Sequence, residues 1–298
     1  MAKGRTKTKT KTKKSKHKAS KRNRLLSTLL VLVALGYYIG LSPMDWLSAE
    51  AVESAFIFKK RGTVRRSCES IEIPLTPKTV AERVLTKSNY TVSFNSQTNI
   101  PNWVAWSITS DELIERESRS NNFQPDPELP AHSAVTTEDY TGSGYDRGHM
   151  CPAADNKYHW RAMDESFYMT NICPQNHNLN AGVWSTLEQQ CRRWAVGDTV
   201  VHVVCGPILY DDHNPRYIGS KHKVRVPDAF FKVVLKGYEQ GVPQGIGFIF
   251  DNKAGKKHLS HYACTINKVE EITGIDFFYR LADKEEERIE SKMIVLKK

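Results

Sequence analysis

The side chains best suited to chemistry lie in one window of the chain, residues 140–192. The first part of this window places Asp146, Arg147 and His149 around Gly148, after two closely spaced glycines that are typical of a turn. An imidazole exchanges a proton near neutral pH, and a guanidinium binds phosphate oxygens with a planar fork of donors. Side by side on a turn, these residue types indicate a site that handles a proton next to an anionic group.

The second part of the window carries a polar stripe. Asn180, Trp184, Glu188 and Arg192 recur at every fourth position, and four residues of a helix advance by about 400°, so that successive members lie nearly above one another. The spacing predicts a helix over 180–195 with an amide, a carboxylate and a guanidinium on one face. Taken singly, these residues also fit a helix cap and a surface ion pair. Taken together with the histidine, they predict a metal-assisted site for a phosphate ester.

In type, order and spacing, these residues resemble the DNA/RNA non-specific endonucleases, which are the ββα-metal or His-Me finger nucleases, and their endonuclease G-like members in particular. The matching segments are 102–106, 139–149, 167–175, 179–188 and 205–207, within residues 76–285. The resemblance implies an α+β fold in which helices flank a central, mainly antiparallel sheet. It also implies hydrolysis of phosphodiester bonds in both DNA and RNA, with 5′-phosphates as products.

The resemblance implies a role for each residue of the site. His149 would be the general base, and Asn180 would bind a hard divalent ion: Mg²⁺, or Mn²⁺ or Ca²⁺ in its place. The imidazole and the amide are expected to face each other across that hydrated ion. Glu188 would hold a metal-bound water, and Arg147 and Arg192 would grip phosphate oxygens.

Further polar residues are expected around this set. Asn171 would brace the site by hydrogen bonds, and Asp146 would orient Arg147 or the histidine turn. The long polar loop 110–138 carries Arg119 where the related nucleases have a phosphate-binding arginine, with Arg116 as the alternative. Long loops of this kind in compact domains are often functional.

The elements that must position the site can be predicted from hydrophobic periodicity. Alternating or continuous apolar residues predict strands at 90–94, 103–109, 167–172, 199–206, 230–235 and 246–250. Short helices are predicted at 160–167 and near 269–278. Trp184 is expected in the core, and no internal repeat is present.

Positive charge is confined to the head of the chain. Of its 43 Lys and Arg, 12 lie in residues 1–24, which contain no acid, so the remainder has 31 basic against 33 acidic residues. This composition predicts a disordered basic tail. The body is not basic overall, so it must bind phosphate through local cations or a metal rather than through a global field.

An uncharged segment, 25–41, follows the basic head. Its seventeen residues would span about 26 Å as a helix, which is close to the thickness of a bilayer core. Positive charge before it predicts a single-pass anchor with the body on the periplasmic or extracellular face. The alternative is a cleaved signal peptide, given the small residues around 49–51, and a secreted protein.

These observations predict the organisation of the whole chain. The predicted segments are a basic cytoplasmic tail (1–24), a transmembrane helix (25–41), a linker (42–75), a nuclease domain (76–285) and a charged C-terminal tail (286–298). The expected partners are DNA and RNA as substrates and the membrane through residues 25–41, and the resemblance is compatible with a homodimer.

Six cysteines, at positions 68, 151, 173, 191, 205 and 264, all follow the apolar segment. In an oxidising compartment this even count favours disulfides, and Cys191 with Cys205 or Cys151 with Cys173 are candidate pairs. No Cys-x-x-Cys pair is present, which argues against a zinc cage.

Two other functions are weighed against the nuclease. One is a protein that binds or takes up nucleic acid and has lost catalysis, which the complete set of His149, Asn180 and Glu188 disfavours. The other is a phosphodiesterase or phosphatase for small metabolites, which the absence of a glycine-rich nucleotide loop disfavours.

Overall fold

The computed structural model describes residues 70–198, 200–210, 214–253, 255 and 257–293. The predicted basic tail, the predicted anchor at 25–41 and the first part of the predicted linker lie outside the described residues. Within the described ranges, no helix is both long enough and apolar enough to cross a membrane.

Seven strands form one central sheet. They are β1 (Arg83–Thr86), β2 (Tyr90–Asn95), β3 (Ile100–Thr109), β6 (Val200–Ile208), β9 (Ala229–Lys236), β10 (Gln244–Asp251) and β11 (Ala263–Cys264). The spatial order is β1-β2-β3-β6-β9-β10-β11, and all neighbouring strands run antiparallel. The predicted central antiparallel sheet is therefore confirmed.

Side chains from both faces of this sheet are buried. On β3, Val104 and Trp106 join one hydrophobic cluster, whereas Trp103 and Ala105 join the other, because successive strand residues point to opposite faces. The first face carries the candidate site. The second is covered by α4 (Ile266–Thr273) and α5 (Asp283–Glu290). The sheet is thus the middle layer between the site and the C-terminal helices.

The packed region is wider than the predicted range 76–285. Ile71 is only 8% exposed and belongs to the core, and Leu75 pairs with Asp276 through two backbone hydrogen bonds. At the other end, Ile289 of α5 is 2% exposed and belongs to the core. Thus one buried isoleucine, Ile71 or Ile289, packs each end of the folded region onto the core.

A small hairpin and a helix carry the functional window. Strands β4 (Asp146–His149) and β5 (Ile172–Gln175) pair antiparallel. Between them lie α1 (Trp160–Glu165), close to the predicted helix, and a 3₁₀ turn, Met169–Asn171. The prediction of a strand at 167–172 was therefore mostly wrong, because that segment is the turn and β5 begins only at its last residue.

The helical region after β5 is not one continuous helix. It consists of α2 (His177–Leu179), a π-helical turn (Asn180–Trp184) and α3 (Ser185–Asp198). Gly182 has φ −101° and ψ −115°, which is outside the helical range. The prediction of one continuous helix over 180–195 was wrong for this reason: Asn180 precedes the break, whereas Glu188 and Arg192 lie on α3.

The cysteines do not form the predicted disulfides. All five cysteines that the structure describes, at positions 151, 173, 191, 205 and 264, are free. Both candidate pairs, Cys191 with Cys205 and Cys151 with Cys173, were wrong, since these four thiols are buried as small apolar groups of the core.

A second hairpin lies near the site. Its strands are β7 (Tyr217–Ile218) and β8 (Val224–Arg225). The backbone N–H of Arg225 also bonds to the carbonyl of Thr98 at 2.9 Å, which ties the hairpin to the turn between β2 and β3.

Candidate active site

Successive side chains of strand β4 point to opposite sides of the hairpin. Arg147 and His149 share one side, and both contact Phe123: the Arg147 guanidinium lies 4.3 Å and the His149 ring 5.3 Å from the Phe123 ring centre. Gly148 faces the other side, where an added Cβ would clash with the side chain of Gln175. Glycine is therefore needed where the hairpin closes on itself.

His149 is enclosed by aromatic rings. The residue is 8% exposed, and the Phe167 ring meets it edge-on at 4.8 Å. Burial lowers the pKa of His149 to about 3, and the positive charges of Arg119 and Arg147 act in the same direction. Its Nε2 atom is buried and has no hydrogen-bond partner among the described residues. The imidazole is thus neutral at pH 7, with one ring nitrogen uncommitted.

Asn180 is held by Asp146. The amide nitrogen of Asn180 donates to Asp146 Oδ2 at 2.8 Å, and His177 Nδ1 lies 2.9 Å from the same oxygen. The Asn180 amide oxygen has no partner in these contacts. Asp146 had been expected to orient Arg147 or the histidine turn; its carboxylate instead contacts Asn180 and His177.

A cleft of about 330 Å³ opens beside these residues. Its lining combines aromatic rings, hydroxyls and charged groups: Phe123, Thr137, Tyr140, Thr141, Tyr145, Asp146, Arg147 and Asn180. The volume falls within the range of small-molecule sites. A guanidinium and an amide oxygen at one cleft are suited to an anion and a cation that share it.

His149 does not line this cleft. Phe123 contacts the imidazole and also lines the cleft, so its ring stands beside both. Phe123 and Phe167 thus enclose the imidazole of His149, whereas the side chain of Asn180 lies at the cleft.

Arg192 and Glu188 belong to a partly buried cluster of charged residues. Arg192 Nη1 donates to Asp155 Oδ1 at 2.7 Å, and Trp106 Nε1 donates to Asp155 Oδ2 at 3.0 Å. Burial raises the pKa of Glu188 to about 7, against the opposing charge of Lys232. The guanidinium of Arg192 is thus already engaged by a carboxylate. The simple ion pair of Arg192 with Glu188 is replaced by one with Asp155.

Lys232 is the cation beneath this cluster. It is fully buried on β9, with its ammonium 4.1 Å from the ring centre of Trp184. Trp184 is itself buried against Phe230 and Phe250. The expectation that Trp184 belongs to the core is confirmed.

Arg119 lies near both His149 and Glu188. Its positive charge acts on the pKa of both His149 and Glu188, and its guanidinium lies 5.3 Å from the Phe167 ring. For Arg116, the contact that the structure gives is a backbone hydrogen bond to Lys157. Of the two arginines considered for phosphate binding, Arg119 is the one near the histidine.

Asn171 is completely buried and bonds to backbone groups. Its side chain accepts from the N–H of Cys151 at 2.9 Å and donates to the carbonyls of Cys151 and Ser166, both at 2.8 Å. These bonds fix the chain just after His149. Asn171 therefore fixes the backbone that follows β4 and is not one of the residues that line the cleft.

The polar groups at the cleft fit a lightly coordinated hard cation. Asn180 and Asp146 present oxygen atoms, the ligands that Mg²⁺ prefers. In the described part of the chain, no group of three His, Cys, Asp or Glu side chains could hold a metal ion by itself. A cation bound here would therefore keep most of its water, which is the usual state of protein-bound Mg²⁺.

Several residues of the site were missed from the sequence. Phe123 is the only Phe, Tyr or Trp in the loop 110–138, and Lys232 is the charged residue within the apolar run 230–235. An aromatic residue in a polar loop and a charge in an apolar run are both visible in the sequence. Asp155 and Phe167 gave no comparable signal, because their contacts join segments that are distant along the chain.

The hairpin that carries Arg147 and His149 and the helical segment that begins at Asn180 thus lie beside one polar cleft. Comparison with known proteins identifies the family: the sequence profile of the DNA/RNA non-specific endonucleases matches residues 70–284. The chain belongs to the DNA/RNA non-specific endonuclease family, as the resemblance predicted.

Individual relatives support the same assignment. "Nuclease EXOG, mitochondrial" of Mus musculus is 34% identical over 209 residues, which cover 65% of this chain and 56% of the mouse protein. "Nuclease" of Nostoc sp. is 33% identical over 221 residues, which cover 70% of this chain and 78% of the relative. The chain thus spans just over half the length of the mouse relative.

A solved structure shares the fold. The match is to the crystal structure of the EndoG/EndoGI complex, with a TM-score of 0.63 and 26% sequence identity. It covers 68% of this chain and 88% of the matched chain.

Proposed function

We propose that the protein is a metal-dependent, sugar-non-specific endonuclease that hydrolyses phosphodiester bonds of both DNA and RNA. The observation that carries this proposal is the neutral, uncommitted imidazole of His149 next to a cleft that holds Arg147 and Asn180. In this proposal, β4, β5 and the helical segment from α2 to α3 form a ββα-metal motif.

His149 acts as the general base. Its Nε2 takes the proton of the attacking water while a new P–O bond forms and the bond to the leaving oxygen breaks. Because Phe123 stands beside both the imidazole and the cleft, its ring turns aside when substrate is bound. Catalytic contacts often tighten only in the substrate complex.

The cations around the cleft bind the phosphate. Arg147 lines the cleft, and Arg119 lies near the histidine, so both guanidinium groups can donate to phosphate oxygens. Arg192 acts indirectly, since it neutralises the buried Asp155.

Asn180 and Glu188 would hold the divalent cation, Asn180 through its amide oxygen and Glu188 through water. When bound, Mg²⁺ supplies positive charge that stabilises the developing charge on phosphate and leaving oxygens. The partial burial of Glu188 strengthens its hold on a charged neighbour, because attraction between charges grows as water is excluded.

The place of action is proposed from the sequence. Residues 25–41 tether the enzyme to a membrane, with the nuclease domain on the extracytoplasmic side. The mouse relative is named as mitochondrial, and a mitochondrial location is the competing outcome. Fractionation of cells that express the full chain, with protease protection of the body, distinguishes the two.

The activity is tested on the purified full chain with supercoiled plasmid and with RNA, in Mg²⁺ and in excess EDTA. We expect nicking of both polymers only with metal. His149→Ala and Asn180→Ala should each reduce the rate by several orders of magnitude, whereas His132→Ala and Asn178→Ala, matched controls at exposed positions, should not. Binding without cleavage would favour a catalytically silent protein, and cleavage of small phosphodiesters alone would favour a metabolite enzyme.

A further inference from the structure

A second exposed arginine lies at the rim of the cleft. Tyr145 lines the cleft together with Arg147 and Asn180. The phenolic oxygen of Tyr145 accepts a hydrogen bond from Arg216 Nη1 at 3.0 Å. Arg216 is thus one side chain removed from the cleft.

The backbone of Arg216 is fixed by the second hairpin. Its carbonyl accepts from the N–H of Val226 at 2.8 Å and from Arg225 Nη1 at 3.4 Å, directly before strand β7. Tyr145 then fixes the guanidinium. A long side chain that is held at both ends loses less conformational entropy on binding a ligand, so the arginine is preorganised.

The positive charge of Arg216 is only partly compensated. Asp228 pairs with Arg225 at 3.1 Å and approaches Arg216 no closer than 3.8 Å. Asp228 is thus the closer partner of Arg225, and the positive charge of Arg216 meets this carboxylate only at the longer distance. The side chain of Arg216 is 55% exposed, so this charge can be reached from solution.

We propose that Arg216 binds a backbone phosphate that neighbours the scissile one, and that Tyr145 is its positioning residue. The proposal rests on the proposed endonuclease function. The cleft between Arg147 and Tyr145 would hold the intervening nucleoside, and its volume of about 330 Å³ is adequate for such a unit. Arg216 would then let the enzyme bind a polymer more tightly than a single phosphodiester.

The test measures kcat and KM of the full chain on a single-stranded oligonucleotide in Mg²⁺, over roughly 50–200 mM salt. Arg216→Gln should raise KM roughly 3–10-fold, more than it changes kcat, and reduce the slope of log KM against log salt by about 0.7, the value for one phosphate contact on a single strand. Arg216→Lys should restore the slope but not all of the affinity, because the ammonium lacks the planar fork. Tyr145→Phe should raise KM by less than Arg216→Gln.

Arg288→Gln is the matched control. Arg288 is exposed on α5, which packs on the other face of the sheet, so this variant should keep the wild-type KM and salt slope. Wild-type KM and slope in Arg216→Gln would overturn the proposal. So would a lower melting temperature with an unchanged slope, which would make Arg216 a purely structural residue.

Failure of the proposed function is a separate result. If the wild type cleaves neither polymer, the endonuclease proposal fails. Fluorescence anisotropy can then measure the equilibrium binding of the same oligonucleotide. The salt dependence of the dissociation constant, compared between the wild type and Arg216→Gln, still tests the role of Arg216.

Discussion

The buried imidazole of His149 predicts a specific loss of stability in acid. The unfolded chain binds a proton on this residue near pH 6.5, whereas the folded protein does so only near pH 3 because the ring is buried beside two arginines. Between these values the unfolded state holds more protons, so the free energy of unfolding falls as the pH is lowered. Above pH 6.5 the contribution is complete.

The size of the effect follows from the two pKa values. From pH 7.5 to pH 4, the His149 contribution to the free energy of unfolding decreases by about 3 kcal/mol, since each unit of difference corresponds to about 1.4 kcal/mol. His149→Gln removes the titrating group but keeps a polar side chain. Its stability should therefore fall less steeply with acid than that of the wild type, by the same amount.

Urea unfolding of both proteins at half-unit pH intervals measures this difference, because the other titrating groups contribute equally to the stability of both proteins. The ¹H–¹³C resonances of the histidine ring report its protonation directly. Parallel stability curves from pH 7.5 to pH 4, or a ring that titrates near 6.5 in the folded protein, would refute the reasoning. Phe123→Ala opens one wall of the enclosure and should raise the pKa of His149.

Three further outcomes are expected. Because burial raises the pKa of Glu188 from 4.5 to about 7, the stability of the metal-free protein should fall as the pH rises from about 4.5 to 7, and the loss is complete above pH 7; Glu188→Gln should raise the melting temperature at pH 8 but not at pH 4.5, and equal shifts at both would contradict this. Arg192→Gln removes the ion-pair partner of the buried Asp155, which keeps only the hydrogen bond from Trp106, and should cost about 3–5 kcal/mol in urea unfolding, whereas an unchanged midpoint would indicate a purely catalytic arginine. Since the five described cysteines are free, the melting temperature should be the same with and without reductant; a clear drop in reductant would reveal a disulfide.

Much of the fold could be predicted from the sequence because each strand shows a short-range pattern of apolar residues. The apolar runs at 230–235 and 246–250 lie within β9 and β10, and the alternating aromatic residues from 103 onwards lie within β3. Hydrophobic periodicity is a local property that burial of the sheet then reinforces. The window that bears the chemistry was also located from residue types alone.

The arrangement of the site could not be predicted in the same way. The spacing of Asn180, Glu188 and Arg192 predicts one helical face, but the backbone at Gly182 breaks it, and a four-residue spacing carries no information about such a break. The prediction of disulfide pairs was wrong for a related reason, since a count of cysteines does not show whether the fold buries them as thiols.

From its sequence alone, the chain could be assigned its family, its antiparallel sheet and the candidate residues of its site, since these depend on residue types and on spacing along the chain. Tertiary structure alone decided that Phe123 encloses His149, that Asp155 pairs with Arg192, and that Arg216 reaches the cleft through Tyr145. Each of these contacts joins segments far apart along the chain. Burial and charge compensation are properties of such contacts, and they set the pKa values and the availability of each group for chemistry.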